Sequence, residues 1–482
     1  MKKITALLLI IFMLVSVVAC NSENKDGVSK EESTTVEEGF VNTYDGIFQV
    51  GFSRKDITPT EPVLLSTGTV LEKAVDPIYA TCIAVHDGEK KVLIYTVDVK
   101  NINASEYKTI RKKISAATEV PVENIMISAT HNHSTPTPGD AATSKDPANV
   151  RWALSVLYKN MIEAGKEAIA DLTDAEIYTS TGKTTGMAFV RRYLLEDGTY
   201  KGIQSGSKST AKPVAYESEA DDTVQVIRFV RENKKDVVIA NWQAHVAHAI
   251  VSHPNSISGD LVAFARNNAE SLDDDILFAL YIGASGNINL TAAVPGTQKY
   301  SNFAQVGREL GRVVVNSFEN MERVNAGKIA VSYKDCEVEY LKDSSVRVAK
   351  AKELRALDTE SEQYAKLLDL YGFESKYEVS NLLWRNQAGE KETFHIGAIS
   401  FGDLGFVSVP YEMFDTNGME VKDGSPFKMT FVLTSAGGCF GYIPSALAVP
   451  HGCYEVYSTG FVYGTAEKMV GELLSLLNSH VK

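Results

Sequence analysis

Val92-Leu93-Ile94-Tyr95-Thr96-Val97, then Ala104 to Ala117, then Ile125-Met126-Ile127-Ser128 is the stretch whose reading decides the fold class. The first run is rich in β-branched residues and apolar throughout, the pattern of a strand buried on both faces. The second has helical spacing, and the third is again a short apolar run. A strand, a helix and a strand in that order predict one α/β unit, and the same alternation continues outward. Val150 to Leu172 carries apolar residues at three- and four-residue steps and predicts a long helix. Val224 to Val230 and Val237 to Trp242 read as strands, Leu261 to Leu272 as a helix, Ile276 to Ile282 as a strand and Phe303 to Phe318 as a helix. The fold class expected is therefore α/β, with a mostly parallel or mixed central sheet flanked by helices. Val346 to Leu370 is long, charged and helical in pattern, an excursion from the core. Residues 394 to 409 read as paired strands around Gly402-Asp403, and Thr465 to Leu477 as a closing amphipathic helix. No repeat and no linker divides residues 44–482, which are expected to form one large domain.

Composition narrows the function classes. In 482 residues, 61 acids against 48 Lys and Arg give a net charge of −13, which argues against a nucleic-acid-binding surface. The 44% hydrophobic and 23% charged content is that of a globular protein, not of a disordered, collagenous or polytopic membrane chain. Five cysteines are too few for a disulfide scaffold.

Lys2 and Lys3 precede a nearly wholly apolar run, Ile4 to Ala19, and Val17-Val18-Ala19-Cys20 has the form of a bacterial lipobox. Residues 1–20 are expected to be a lipoprotein signal peptide and residues 21–43 a flexible acidic tether. The implied location is the extracytoplasmic face of the cell envelope, with the chain held to the membrane through lipidated Cys20. Of the other cysteines, Cys439 and Cys453 flank a Gly- and Pro-containing loop; a bridge between them and four separate thiols are both open.

The chemistry-bearing residues gather after strands, where α/β sheets build sites. Ser128-Ala129-Thr130-His131-Asn132-His133-Ser134 follows one strand. In extended backbone, residues two apart share a face, so His131 and His133 can converge on one ion; by itself the pattern fits a metal site or a polar loop. Asn241-Trp242-Gln243-Ala244-His245-Val246-Ala247-His248 ends another strand, with His253 and Ser258-Gly259-Asp260 close behind. His248 and His253 are expected to be structural or surface residues. Gly283-Ala284-Ser285-Gly286-Asn287-Ile288-Asn289 follows a third strand, with small residues that allow close backbone approach. Val409-Pro410-Tyr411-Glu412 offers a carboxylate past a fourth, and Gly441-Tyr442-Ile443-Pro444 and Gly452-Cys453-Tyr454-Glu455 lie beyond. No phosphate-binding glycine loop, no Gly-x-Ser-x-Gly elbow and no His-Glu-x-x-His pair is present.

Together these motifs resemble the neutral, non-lysosomal ceramidases over about residues 48 to 480. The resemblance starts at Val50-Gly51-Phe52-Ser53-Arg54-Lys55-Asp56-Ile57-Thr58 and Asp76-Pro77-Ile78-Tyr79-Ala80, and is sharpest at Ser128 to Ser134, where the family has Ser-Ala-Thr-His-Thr-His-Ser. It implies a zinc-dependent amidase that splits ceramide into sphingosine and a fatty acid, or a related lipid amide. Carried over, it implies zinc held by His131, His245, Glu412 and Tyr442. It also implies His133 at the scissile amide, Arg191 on developing charge and Tyr454 in the pocket. The family's Gly-Asp-x-Ser-Pro-Asn is here Gly286-Asn287-Ile288-Asn289-Leu290-Thr291, so Asn289 stands where the family has its catalytic serine. No counterpart of the family's C-terminal immunoglobulin-like domain is expected after the closing helix. Without the serine, the expected reaction is attack by zinc-bound water, with Arg191 and His133 on the oxyanion and Asn289 holding water or substrate through its amide. The alternatives are hydrolysis of another amide at the same metal site, and a non-catalytic surface lipoprotein that keeps the fold.

Overall fold

The computed structural model describes residues 44–139, 146–203 and 209–481. The lipobox and acidic tether expected within residues 1–43 lie outside the described residues. Among the described residues no helix is long and apolar enough to cross a membrane.

Nine strands form the main sheet. Eight run in the spatial order Ile276–Ile282, Asp236–Trp242, Thr223–Arg231, Thr173–Lys183, Gln49–Asp56, Tyr79–His86, Lys91–Val97 and Ile125–Ala129, and Glu322–Val324 adds to Thr173–Lys183. Only the two terminal pairs are parallel, Asp236–Trp242 with Ile276–Ile282 and Lys91–Val97 with Ile125–Ala129. Every junction between them is antiparallel. The sheet is thus mixed, one of the two arrangements expected, with antiparallel pairing through its middle. The two parallel crossovers were the units read from the sequence. Two of the antiparallel junctions, Tyr79–His86 with Lys91–Val97 and Thr223–Arg231 with Asp236–Trp242, are hairpins whose short turns force that pairing; the other three close over longer connections.

A second sheet of four strands, Ile329–Glu339, Lys391–Phe401, Leu404–Val409 and Met429–Thr434, packs face to face on the first. The core between them is built from alternating inward residues: Val50, Ile83, Ile94, Ile227 and Phe229 from one sheet, Ile399, Phe401, Phe406 and Phe431 from the other. Helices Ala104–Thr118 and Pro147–Ala170 cover one half of the outer face of the main sheet. Asp260–Leu272 and Phe303–Asn316 cover the other half, and Thr465–Ser479 covers the second sheet. The helix predicted from Val150 is continuous but wound as a π-helix over Trp152–Tyr158. The hairpin at Gly402-Asp403 forms as expected, with Gly402 at φ +57°. The span Val346–Leu370 is not one helix. It breaks into Ser345–Arg355 and Glu362–Leu370 because the Ser361 hydroxyl accepts from Tyr364 N and starts a new helix. A third helix, Lys376–Gln387, completes that excursion around its own small core.

The main sheet curls until its ends meet. The Tyr281 hydroxyl donates to the Ile94 carbonyl at 3.0 Å, and Thr96 Oγ1 to the Leu280 carbonyl at 2.8 Å. Ser128 bridges to Ala436 past the last strand of the second sheet, and Asn241 Nδ2 donates to the Val432 carbonyl. The carboxyl ends of both parallel pairs, and of strand Met429–Thr434, thus open at one place.

Candidate metal centre and cavity

The loop after Ile125–Ala129 is tied down by its backbone. Thr130 N donates to Val97 O at 2.9 Å, Asn132 N to Val99 O at 3.3 Å and His133 N to Val246 O at 2.9 Å. Asn132 Nδ2 donates to Ser258 O and its Oδ1 accepts from Ser134 N. Within this frame His131 adopts φ +58°, a left-handed conformation that a non-glycine residue holds only when its surroundings impose it. His131 and His133 do converge, but through this left-handed residue and not through the extended alternation expected from the sequence. The last bond, His133 to Val246, also joins the loop to the one carrying His245.

Glu412 and Tyr442 are brought side by side by a two-residue parallel ladder, Glu412–Met413 with Tyr442–Ile443, in which Glu412 pairs with Tyr442. Gly286 lies directly against it. Its N–H donates to Met413 O at 2.8 Å, and a Cβ at Gly286 would stand 2.4 Å from the Glu412 carbonyl oxygen. Only glycine permits that approach. Asn287 locks the same loop to Asp415: its Nδ2 donates to Asp415 Oδ1 at 2.6 Å, and its Oδ1 accepts from Asp415 N at 2.9 Å. Burial raises the Asp415 carboxyl to about 6 against these hydrogen bonds.

Five side chains meet at the centre. His131 Nε2 lies 3.2 Å from His245 Nε2 and 3.2 Å from His133 Nε2. Glu412 Oε2 lies 3.3 Å from His131 Nε2 and 3.4 Å from His245 Nε2, and the Tyr442 hydroxyl is 3.5 Å from His245 Nε2. The opposite ring nitrogens are already engaged. His131 Nδ1 is 3.1 Å from the Lys100 carbonyl and His245 Nδ1 is 3.0 Å from the Ser285 carbonyl. A carbonyl only accepts, so each Nδ1 carries the proton and each Nε2 points a lone pair inward. Burial, followed by neighbouring positive groups, pushes the pKa of His133 and His245 well down, so both are neutral imidazoles. Burial opposes ionisation of Glu412, but His131, Tyr442 and Arg191 outweigh it and hold the carboxyl below its usual value. Its Oε2 is buried with no hydrogen-bond donor. Converging lone pairs and an undonated carboxylate oxygen repel one another unless a cation sits among them. Imidazole nitrogen with carboxylate is a donor set for a borderline divalent ion. The buried group of His131, His133 and His245, with Glu412 beside it, can hold a metal ion.

A cavity of about 550 Å³ opens beside this centre, lined by His133, Arg191, His245, Asn289, Tyr442 and Tyr454. Short strands Phe189–Val190 and Ile288–Asn289 pair here, and Arg191 N donates to Asn287 O, so Arg191 and Asn289 are delivered together. Arg191 is buried, with Nε donating to Glu455 Oε1 at 2.7 Å and its guanidinium 5.2 Å from the Tyr442 ring centre. Its Nη2 is a buried donor with no partner. Tyr454 packs edge-on against Tyr442 at 5.5 Å. All eight side chains singled out in the sequence thus surround one centre and its cavity. His133, which the resemblance sets at the substrate, stands within the cluster of possible ligands, as the His-x-His pattern allowed.

No family model matches the chain, and no curated protein matches it in sequence. Solved structures do match it in fold, two ceramidases among them. Neutral ceramidase from Pseudomonas aeruginosa aligns over 90% of this chain and 75% of its own, at 13% identity and a TM-score of 0.65. A structure described as ceramidase complexed with C2 aligns over 90% of this chain and 75% of its own, at 15% identity and a TM-score of 0.62. The fold is that of the neutral ceramidases.

His248 was expected to be structural, yet it lines the cavity, with Nδ1 buried and unpartnered. His253 is exposed, and His451 pairs with Glu217 at 2.7 Å. Cys439 and Cys453 are both free thiols, so no bridge joins them. Burial raises them to about 11 and about 12, and Cys453 packs instead beside Arg192. Sequence reading missed the carbonyls of Lys100 and Ser285 that orient the histidines, the Asn287–Asp415 clamp and the role of Glu455 as the partner of Arg191. Backbone carbonyls leave no sequence signal. The Gly-rich loop and the Arg-Arg pair were the only pointers to the others.

Proposed function

We propose that this protein is a zinc-dependent amidase that hydrolyses a lipid amide of the ceramide type or a close relative. The observation that carries the reading is the convergence of the His131 and His245 Nε2 lone pairs on Glu412 Oε2, each ring being locked from behind by a carbonyl. His131, His245, Glu412 and Tyr442 would hold the ion. Zinc, when bound, supplies a Lewis acid that lowers the pKa of water toward about 7 and polarises a carbonyl.

The protein's own groups supply the rest. Arg191 lines the cavity and is held rigid by Glu455, with Nη2 buried and unpartnered, and its charge is suited to an oxygen that gains negative charge in the transition state. His133, neutral through burial, faces the same space and can accept or return a proton at the departing amine. Asn289 has no proton to give up and forms no acyl ester, so water is the attacking group. Its Oδ1 accepts from Leu290 N at 2.8 Å, and its side chain also meets His248 at the cavity wall. Tyr442 remains a phenol, because burial and the Glu412 carboxylate push its pKa up, and it closes the centre toward Tyr454.

The reading places the catalytic domain outside the cytoplasm on a lipid anchor at Cys20, where lipid amides are at hand. The test is hydrolysis of a panel of N-acyl amides by the purified domain. Turnover that chelator abolishes and zinc restores supports the amidase. A chelator-resistant rate, or no turnover of any amide by zinc-loaded protein, contradicts it.

A further inference from the structure

The cavity has a second lobe, of about 300 Å³, and His133 and Ile250 line both. The two lobes differ in chemistry. The larger one has Ile203, Val251 and Phe303 in its walls, with Arg191 and the two tyrosines. The smaller one is walled mainly by polar side chains, Lys100, Asn101, Thr67, Thr69 and Thr135 among them, beside Leu65 and Ile250. Seating a hydrocarbon chain there would strip water from these hydroxyls and from an ammonium group and give nothing in return.

Lys100 is the deciding residue. Its carbonyl orients His131, and its side chain forms part of the small lobe next to His133. Among the described residues its Nζ has no ion pair, and the residue is half-buried. A half-buried ammonium without a counter-ion, ringed by hydroxyl and amide groups and one side chain from the metal cluster, is the chemistry of a site for a compact anion.

Building on the amidase reading, we infer that the Lys100 lobe is an anion-binding subsite. The amide cleaved here then joins an apolar acyl chain in the large lobe to a small amine carrying a carboxylate or phosphate in the small one. The sphingoid base of ceramide has no such anion. Zinc-loaded protein is to be tested with three substrates of one acyl length: N-dodecanoylglycine, N-dodecanoyl-O-phosphoethanolamine and neutral N-dodecanoylethanolamine. At least one of the anionic pair is expected to exceed the neutral amide in kcat/KM by about tenfold or more, the size of one charge-assisted contact. Which anionic compound leads identifies the anion. Lys100→Met should erase the preference through KM, Lys100→Arg should keep it, and Lys100→Glu should reverse it. Equal kcat/KM for all three in the native protein, or an equal loss on all three in Lys100→Met, overturns the subsite. If none is cleaved, the amidase reading has failed, and calorimetric binding of the same compounds decides the subsite by itself. Tighter binding of an anionic compound that Lys100→Met abolishes upholds it, and equal or no binding ends it.

Discussion

Arg191 is held by Glu455 through Nε and lies over the Tyr442 ring, and its Nη2 is buried without a hydrogen-bond partner. Arg191→Met should therefore lower kcat about 100-fold with little change in KM, the expected loss for one preorganised oxyanion donor. Steady-state kinetics beside an unchanged circular dichroism spectrum checks this, since Arg192 still pairs with Glu455 at 3.0 Å when Arg191 is removed. Asn289 makes a different forecast. Asn289→Ala should lower the rate about tenfold or less, through lost positioning, with no covalent adduct in either protein by mass spectrometry of quenched reactions. An acyl adduct on the native chain would show that another nucleophile, with Ser285 or Ser258 the nearest in these loops, does the work. At this scale the candidate histidines were legible, because nine histidines are few and His131 and His245 stand directly after strands, whereas Glu412 and Tyr442 were singled out by the resemblance. The orientation of the histidines was not. It depends on the left-handed turn at His131 and on two backbone carbonyls, neither of which has a side-chain signature.

The loop Gly283 to Asn289 is the element on which the centre leans. Gly286 touches the Glu412 carbonyl so closely that Gly286→Ala must push the Glu412–Tyr442 ladder away. The expected outcome is a loss of about 1–3 kcal/mol in stability, as for other overpacked sites, together with weaker metal retention in dialysis. The Asn287–Asp415 clamp gives a pH-dependent forecast. The Asp415 carboxyl rises from 3.8 to about 6 on folding, so between those values the folded protein binds more protons than the unfolded chain. The contribution of this group to stability is full below about pH 4 and falls as pH rises to about 6. The stability of the native chain relative to Asp415→Asn should decline across that window and level off above it, as measured by denaturant unfolding at a series of pH values. Individual elements were read well from periodicity: the strands at Val92, Ile125, Val237 and Ile276 and the helices that follow them all form. The helix expected from Val346 failed because a capped turn at Ser361 interrupts an otherwise helical charge pattern.

At the scale of the molecule, alternation of strand and helix pointed to α/β layers but not to two stacked sheets, nor to a main sheet antiparallel through its middle. The decisive strands, Gln49–Asp56, Tyr79–His86 and Thr173–Lys183, lack the helical crossovers that give a periodic signal. Closure of the sheet, which sets His131 beside His245 across 114 positions of sequence, is a tertiary fact invisible to local pattern. The membrane anchor is a prediction of the same scale. Two acyl chains, at about 0.8 kcal/mol per buried CH₂, hold a protein stably on a bilayer, so Cys20→Ser should move the protein from the membrane to the soluble fraction or block its maturation. Unchanged fractionation and lipid labelling would contradict the anchor. Everything else in the account depends on the cation among His131, His245, Glu412 and Tyr442. The direct measurement is metal content by plasma mass spectrometry of the purified chain and of His245→Ala, each folded by circular dichroism. The account predicts close to one zinc per native chain and a substoichiometric trace in the variant; a native chain that holds no metal after incubation with zinc, or a variant that holds as much as the native protein, would contradict it.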